Sequence, residues 1–292
     1  NAFSNYGFQE IRLCKTTYHQ AIEIRLRPQL LIDQQGFYRL TKLADFEDIK
    51  ISFQYVMQDI LSLPVPPLDF WKVKRVDAAA DVKVDEHLIP YYLKLYKMSN
   101  IPNYFMDNVT TNRFWNNEEN FYLNATNVTV NWYNRYQVIQ KKQQNKKFAD
   151  FSETRGVLRF ETQLRSCDKY VHEILDRNLL KHSVLKFYKL IVGSGDHYTL
   201  DNTMKIISDS VSNPKKRLKL ERFARLIVNC GSLIEAKRRF VQEHHSENAS
   251  ELFGKKLNQL RKLGVNPAII PKEWGIEKME NLHKKIKGQF EE

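Results

Sequence analysis

The sequence is poor in cysteine and has no long apolar run. Its 292 residues contain three cysteines, Cys14, Cys167 and Cys230, which lie far apart and form no CxxC pair. Such spacing indicates neither a zinc site nor a disulfide framework, and it fits a reducing cytoplasm. No apolar stretch approaches the ~18 residues that a membrane-spanning helix needs, so we expect a cytoplasmic protein without a membrane partner.

Several catalytic motifs are missing as well. The sequence has no glycine-lysine loop of the Walker type, so we do not expect ATP hydrolysis. Its eight histidines show neither HxxxH nor HExxH spacing, and no Gly-x-Ser-x-Gly elbow is present. These absences point away from ATPases, zinc proteases and serine hydrolases.

Basic residues are in clear excess. The chain has 46 lysines and arginines against 34 acidic residues, a formal net charge of +12 and a pI near 9.4. Such an excess favours a polyanionic partner, and nucleic acid is the commonest one. Hydrophobic residues make up 42% of the chain, which is enough for a sizeable core.

The periodicity of apolar residues changes along the chain. Up to about Gln163 the pattern is strand-like, and after about Cys167 it is helical. Alternation with a period of two predicts strands at residues 18–26, 73–84, 128–139 and 156–165. This order predicts the α+β class, with a sheet early in the chain and helices late.

Helical spacing near 3.6 dominates the second part of the chain. It predicts helices at residues 181–191, 218–229, 232–242 and 249–263, and a further helix that begins around Thr199 to Asp201. We therefore expect a domain with the central sheet at residues 1–200 and a basic, helical region at residues 201–292.

Acidic residues lie on strand faces that are otherwise basic. Asp77 and Asp81 alternate with Arg75 and Lys83 on one predicted strand, and Glu161 lies between Arg159 and Arg165 on another. Carboxylates among cations stay ionised and can bind Mg²⁺ or Mn²⁺ through oxygen, while the cations hold phosphates beside the metal. The alternative is an exposed sheet face with cross-strand salt bridges.

Strand geometry limits which acids can share one ion. Asp77 and Asp81 would be about 13 Å apart in a regular strand, at ~3.3 Å per residue. The better pair is one aspartate, preferably Asp77, with Glu161 from a neighbouring strand. His19 or Glu23 on the first strand could supply a further ligand, although a structural role is the simpler expectation for both.

A tyrosine follows a glycine-rich turn. Residues 193–199 read Gly-Ser-Gly-Asp-His-Tyr-Thr ahead of a predicted helix, and Tyr198 is the tyrosine among them. A helix start offers free N–H groups and partial positive charge to a phosphate, so a tyrosine there could attack phosphorus and keep the DNA end attached. Packing or a capping role is the structural alternative.

Three clusters of cations lie on or beside the predicted C-terminal helices. They occupy residues 215–217, 237–239 and 255–256. Helices with such runs can follow the DNA backbone or enter a major groove. A solvated helix face is the alternative for each run.

Five short motifs together resemble the replication proteins of the filamentous-phage gene II/X type and, more distantly, the initiators of staphylococcal rolling-circle plasmids. They are the Arg-hydrophobe-Asp strand with a second acid at residues 75–81, the Val-Asn-Trp-Tyr-Asn-Arg strand at 130–135, the Leu-Arg-Phe-Glu strand at 158–161, the Gly-Asp-His-Tyr-Thr-Leu segment at 195–200 and a C-terminal signature at 263–275. Arg135 replaces the family's usual lysine, and His197 replaces a second tyrosine.

The resemblance implies an endonuclease and strand transferase with a palm-like antiparallel sheet. The fold would be related to the histidine-hydrophobe-histidine nickases, with acids in place of histidines at the metal. It implies Glu161 and Asp77, and with them Asp81, as ligands of Mg²⁺ or Mn²⁺. It implies Tyr198 as the nucleophile, and Tyr188, Tyr170 and Tyr133 remain alternative nucleophiles. The residues expected to contact DNA are Arg75, Lys83, Tyr133, Arg135, Arg159 and Arg165.

The expected reaction is metal-dependent nicking and rejoining of one strand at an origin, through a 5′-phosphotyrosine, in the cytoplasm of a bacterial host. Duplex origin DNA would be recognised and single-stranded DNA cut, with Arg159 or Lys83 neutralising the phosphate. A host helicase and polymerase are further expected partners. Whether the protein forms an oligomer is left open by the sequence. The alternatives are a DNA-binding regulator without catalysis and a hydrolytic metal nuclease without a covalent adduct.

Overall fold

The computed structural model describes residues 2–15, 20–34, 36–109, 114–115, 118–143 and 150–291. Its strands are β1 (Phe8–Lys15), β2 (Gln20–Leu26), β3 (Lys72–Lys83), β4 (Asn120–Asn124), β5 (Val128–Asn134), β6 (Val157–Tyr170), β7 (His197–Tyr198) and β8 (Lys278–Met279). They form three antiparallel sheets, of which the largest has the order β3-β6-β5-β4. The expected mixed class with an antiparallel sheet is confirmed.

Helices dominate the C-terminal part of the chain. In chain order they are α1 (Gln29–Ile32), α2 (Phe46–Tyr55), α3 (Ile89–Met98), α4 (Met106–Val109), α5 (Arg135–Gln143), α6 (Val171–Ile174), α7 (Arg177–Ile191), α8 (Leu200–Ser210), α9 (Pro214–Cys230), α10 (Leu233–His244), α11 (Ala249–Lys262) and α12 (His283–Gly288). The predicted helical C-terminal region is confirmed. No helix in the described ranges is both long and apolar enough to cross a bilayer.

The four-stranded sheet has one apolar and one polar face. Ala80, Trp132 and Phe160 lie on the apolar face and are fully buried. Helices α3 and α7 cover this face, with the rings of Tyr96 and Tyr188 within 6.0 Å of Phe160. Since successive side chains of a strand point to opposite faces, the charged residues between these positions lie together on the other side.

Two smaller units flank the sheet. The hairpin β1–β2 forms its own two-stranded sheet and packs with α2 around the buried Phe8 and Phe53. Helices α8 to α11 surround a second core that includes Phe223, Phe240 and Phe253. The second core is built by apolar residues at helical spacing, as the amphipathic pattern predicts.

Two sequence expectations need correction. The predicted strand at residues 128–139 ends at Asn134, and Arg135 begins α5 instead of continuing β5. Helices α2 and α3 lie in the part of the chain that was expected to be strand-like. Of the predicted strand at residues 18–26, the part from Gln20 to Leu26 forms β2, and residues 18–19 lie outside the described ranges.

Candidate functional site

The polar face of the large sheet is organised around Glu161. Residue pairing places Ala79 of β3 and Asn131 of β5 directly opposite Glu161, on either side of β6. Asp77 and Asp81 are two positions from Ala79 in either direction, so both lie on the same face as Glu161. The structure thus brings the three predicted acids to one face, with Glu161 diagonal to each aspartate.

Two of the three acids are held by arginines. Arg159 donates two hydrogen bonds of 2.6 Å to the carboxylate of Asp81, and Arg75 donates bonds of 2.7 and 2.6 Å to that of Asp77. The Arg159 pair is the more buried, with the arginine side chain 7% exposed. Burial disfavours the charge of Arg159, but the bonds to Asp81 and its negative charge outweigh burial and raise the pKa of Arg159.

Glu161 has neutral partners instead. The Tyr133 hydroxyl donates to Oε2 at 3.1 Å, and the Gln163 amide donates to Oε1 at 2.8 Å. Among the described residues, no lysine or arginine forms an ion pair with Glu161. Burial, and after it the charge of Glu161, raises the pKa of Tyr133 to about 12. Of the three predicted acids, Glu161 is therefore the one that no described lysine or arginine pairs with, so a cation at this face would not have to displace a salt bridge from it.

Asn131 supplies a second oxygen beside Glu161. Its Oδ1 atom is buried and has no hydrogen-bond partner. An unpaired buried carbonyl oxygen is costly, and a hard cation would satisfy it. Sequence analysis missed this residue, although β5 alternates strictly and puts Asn131 in phase with Tyr133. The oxygen donors Glu161, Asn131 and Asp77 fit Mg²⁺ or Mn²⁺ in chemical type.

The acids do not already form a closed metal cage. In the ranges that the structure describes, no group of three or more His, Cys, Asp or Glu side chains converges on a common point. Asp77 would have to leave Arg75, and Asp81 would have to leave Arg159, to join Glu161. The assignment of Asp77, Asp81 and Glu161 as ligands stays a prediction. His19 lies outside the described residues. Glu23 belongs to the two-stranded sheet and pairs with Lys74 of β3.

A second cationic group lies beside these acids. Arg135 and Arg159 both donate to the carbonyl oxygen of Tyr38, at 3.0 and 3.4 Å, and Arg135 also donates to the carbonyl of Phe37 at 3.4 Å. Arg135 is 9% exposed, and its Nε atom is buried without a partner. Burial, and then the charge of Arg159, lowers the pKa of Arg135. This pair of guanidinium groups is suited to an oxyanion.

The other predicted DNA contacts are engaged in local structure. The Lys83 amine donates to the carbonyls of Glu153 and Arg155. Arg165 donates to Asn124 at 2.7 Å, to the carbonyl of Ala125 at 3.1 Å and to the Thr129 hydroxyl. These bonds fix the loops at the sheet edge, and the proposed role of both residues in DNA binding stays a prediction.

Tyr198 lies in a different environment. Strand β7 pairs with β8, and the ring of Tyr198 packs against the second core, with the Lys278 amine 5.5 Å from its centre. Met279 of β8 belongs to the core on the apolar face of the large sheet. Tyr198 is therefore carried by elements on the apolar side, whereas Glu161 faces the other way. Its role as nucleophile stays a prediction.

The glycine-rich turn before Tyr198 is locked to the C-terminal segment. The amide of Asn281 donates to the carbonyls of Gly193 and Gly195, and the backbone N–H of Asn266 donates to the Asp196 carbonyl at 2.7 Å. Gly195 has φ +88°, and a Cβ there would lie 2.6 Å from Val265. The motifs at 195–200 and 263–275, which sequence analysis treated separately, are thus in contact.

The remaining tyrosine candidates differ in exposure. Tyr188 is fully buried beneath the sheet, and its hydroxyl accepts a hydrogen bond from the Leu282 N–H at 2.9 Å. Tyr170 is 40% exposed at the end of β6. Of these candidates, Tyr133 is the one whose hydroxyl contacts Glu161.

A basic groove lies at the end of α11. The cavity has a volume of about 510 Å³ and is lined by Ser194, Lys255, Asn258, Gln259, Arg261 and Lys262. No acidic side chain is among these lining residues, although Lys255 pairs with Glu251 at 2.7 Å. The groove places one of the predicted basic runs beside the turn at residues 193–195.

Comparisons with protein-family models, with curated proteins and with solved structures find no match to this chain.

Proposed function

We propose that this chain is a rolling-circle replication initiator of a phage or plasmid, which nicks one DNA strand and rejoins it at the polar face of its large sheet. A fold of the histidine-hydrophobe-histidine nickase type is part of the proposal. The observation that carries it is the placement of Glu161 between Asp77 and Asp81, opposite the unpaired oxygen of Asn131, beside two buried arginines. Phosphodiester transfer needs this combination of oxygen donors and phosphate-binding cations.

Glu161 and Asn131 would hold a divalent cation, with Asp77 as the third oxygen donor. When bound, Mg²⁺ or Mn²⁺ polarises a phosphate and stabilises the charge that develops on it. Arg135 and Arg159 face the same region and neutralise a phosphate oxygen in the place now taken by the Tyr38 carbonyl. Asp81 keeps Arg159 oriented and charged.

The geometry favours Tyr133 as the nucleophile at this face. Its hydroxyl is 3.1 Å from Glu161, which accepts the phenol proton as the tyrosine oxygen attacks phosphorus. A Tyr–O–P bond forms, the P–O3′ bond breaks, and the 3′ oxygen leaves as a hydroxyl after taking up a proton from water, so that the proton on Glu161 is returned to solvent. Tyr198, which the family resemblance implies, is the competing assignment.

The first experiment is capture of a covalent adduct. Purified protein is incubated with labelled single-stranded origin DNA and Mn²⁺, and SDS-stable products are separated and digested to find the residue that carries DNA. We expect Tyr133→Phe to abolish the adduct and Tyr198→Phe to keep it. The reverse result would return the nucleophile to Tyr198, and loss in neither variant would refute both assignments.

The metal role is tested in the same assay. Glu161→Gln should abolish the adduct, and Asn131→Leu should raise the Mn²⁺ concentration needed for half-maximal adduct by roughly tenfold, as for loss of one weak ligand. Binding of the labelled DNA should survive in both variants. Unchanged cleavage by Glu161→Gln would exclude the proposed centre, and cleavage without any adduct in the wild type would identify a hydrolytic nuclease instead.

A further inference from the structure

The groove at the end of α11 forms where this helix passes the glycine-rich turn at residues 193–195. Arg261 lines the groove, and its guanidinium lies against the backbone of that turn. Gly193 has φ +79°, and a Cβ there would lie 2.8 Å from both the Nε and the Nη2 atoms of Arg261. Any larger residue at position 193 would therefore displace the guanidinium.

Arg261 carries its charge without an acidic partner. Its Nε atom is buried and has no hydrogen-bond partner among the described residues, and Nη1 donates to Asn258 Oδ1 at the long distance of 3.4 Å. Burial lowers the pKa of Arg261, and no carboxylate in the described part of the chain opposes this effect. A guanidinium that is partly buried without a counter-charge costs free energy, which an anion in the groove would recover.

Other arginines of the same helical region do not have this cost. Those of α9 and α10 are either exposed to water or paired with an acid one turn away. The pairs are Arg217–Glu221 at 3.9 Å, Arg238–Glu235 at 2.9 Å and Arg239–Glu243 at 2.7 Å. Arg261 differs from all of them because it is both partly buried and unpaired.

The other lining side chains add donors and positive charge. Lys262 is exposed and forms no ion pair within the described ranges, and Ser194 contributes a hydroxyl group. Lys255 is engaged by Glu251 at 2.7 Å, so Arg261 and Lys262 are the cations of the groove that are free to bind an anion. Two cations beside neutral donors suit an oxyanion.

The C-terminal end of α11 could oppose an anion, because the last carbonyls of a helix carry partial negative charge. Two of these carbonyls are already engaged. The N–H of Leu263 donates to the Leu260 carbonyl at 2.9 Å, and the N–H of Gly264 donates to the Arg261 carbonyl at 3.0 Å. A cation that only complements the helix end would face these carbonyls, whereas the Arg261 guanidinium lies against Gly193.

We propose that the groove is a phosphate-binding site, in which the Arg261 guanidinium donates to the oxygens of a backbone phosphate of duplex DNA. This inference rests on the proposed function for the choice of DNA as the source of the phosphate. A planar guanidinium can bind two phosphate oxygens at once. Backbone phosphates of a duplex are accessible from outside, so a surface groove can bind one without unstacking bases.

The first test uses Arg261→Met, which removes the charge and keeps a long, flexible side chain. Affinity for a duplex of about 20 base pairs, measured by fluorescence anisotropy, should fall about tenfold or more, as for loss of a charge-assisted hydrogen bond. The free energy of unfolding in urea should stay equal or rise, because an unpaired, partly buried charge is gone. Unchanged affinity for the duplex, with or without a loss of stability, would overturn the proposal.

Arg261→Lys separates a shaped site from diffuse attraction by charge. Lysine keeps the charge but lacks the planar fork, so affinity should fall several-fold while the slope of log affinity against log salt concentration stays as in the wild type. Arg261→Met should reduce that slope by about 0.9. Wild-type affinity in Arg261→Lys would show that charge alone matters, and it would overturn the assignment of a built phosphate site.

The matched control is Arg238→Met in α10. The Arg238 side chain is 62% exposed and pairs with Glu235, so this substitution should change neither the duplex affinity nor the slope. Equal effects of Arg238→Met and Arg261→Met would indicate diffuse attraction to the whole helical region and would overturn the proposal.

Inorganic phosphate tests the source of the ligand. A rise in thermal stability with inorganic phosphate at constant ionic strength, lost in Arg261→Met while duplex affinity is unchanged, would identify free phosphate as the ligand and overturn the role of DNA. The adduct assay separates this proposal from the proposed function. Duplex binding that depends on Arg261, without adduct in any condition, would support the phosphate site and reject nicking. Adduct formation with equal duplex affinities in wild type and Arg261→Met would support nicking and reject the phosphate site.

Discussion

At the scale of single residues, two aspartates of the polar face that look equivalent in sequence lie in different surroundings. Asp77 and Asp81 are each two positions from Ala79 and each pair with an arginine. The side chains of Asp77 and Arg75 are 39% and 37% exposed, whereas the Arg159 side chain is 7% exposed. An exposed pair contributes little to stability, but removing one partner of a buried pair leaves a charge without compensation.

This difference predicts unequal costs for the same substitution. Asp81→Asn should lower the free energy of unfolding by about 3 kcal/mol, because Arg159 stays charged and buried. Asp77→Asn should lower it by less than about 1 kcal/mol. Urea denaturation of the wild type and both variants measures the two losses. The comparison is valid when the free energy of unfolding falls with urea concentration at the same slope in all three proteins. Equal losses would show that burial of Arg159 does not control the stability of this face.

At the scale of structural elements, sequence patterns found the strands with the clearest alternation. In β3 and β6, apolar and charged residues alternate almost without exception, so the period alone placed Asp77, Asp81 and Glu161 on charged faces. The end of β5 was missed because Arg135, Tyr136 and Val138 continue a mixed pattern that suits a strand or a helix. Helix α3 was missed because several of its faces are buried, which hides the helical period.

The pairing of strands could not be read from the sequence. Whether Glu161 stands opposite Ala79 or an aspartate depends on the register of β3 against β6, which long-range packing decides. The role of Asn131 depends on the same register, because its oxygen matters only beside Glu161. Chemical types were thus predictable from local pattern, whereas their partners were not.

The short ladder of β7 and β8 predicts a pH dependence of stability. His197 of β7 is fully buried, its Nδ1 atom is 2.8 Å from the Ala268 carbonyl, and its Nε2 atom has no partner. Burial lowers the pKa of His197 from 6.5 to about 4. Between pH 6.5 and pH 4 the imidazole of His197 binds a proton in the unfolded chain but not in the folded chain. The free energy of unfolding is therefore highest above pH 6.5 and decreases toward pH 4.

The matched variant is His197→Asn, whose amide can donate to the Ala268 carbonyl but does not titrate. Between pH 7 and pH 4 the wild type should lose about 3 kcal/mol more of its free energy of unfolding than His197→Asn. Chemical denaturation across this range measures the difference. Parallel curves for the two proteins would mean that folding leaves the pKa of His197 unchanged, which would contradict the effect of burial.

At the scale of the whole molecule, cations lie on both sides of the sheet. Arg135 and Arg159 belong to the polar face, whereas Lys255, Arg261 and Lys262 line the groove at the end of α11, which packs in the second core. A single short strand of DNA on the polar face has no direct route to this groove. We therefore expect the groove to contact a separate, double-stranded part of the DNA, which would agree with the proposed recognition of an origin by the C-terminal region.

This separation predicts different salt dependences for the two forms of DNA. Each phosphate contact to duplex DNA contributes about 0.9 to the slope of log affinity against log salt concentration. Lys262→Gln should reduce that slope by roughly this amount for a duplex of about 20 base pairs, and it should leave binding of short oligothymidylate unchanged. Lys284→Gln removes the same charge from an exposed site outside the groove and should change neither slope. If Lys262→Gln instead weakened both forms equally, single-stranded and duplex DNA would share one binding surface, and the polar face and the groove could not act as separate sites.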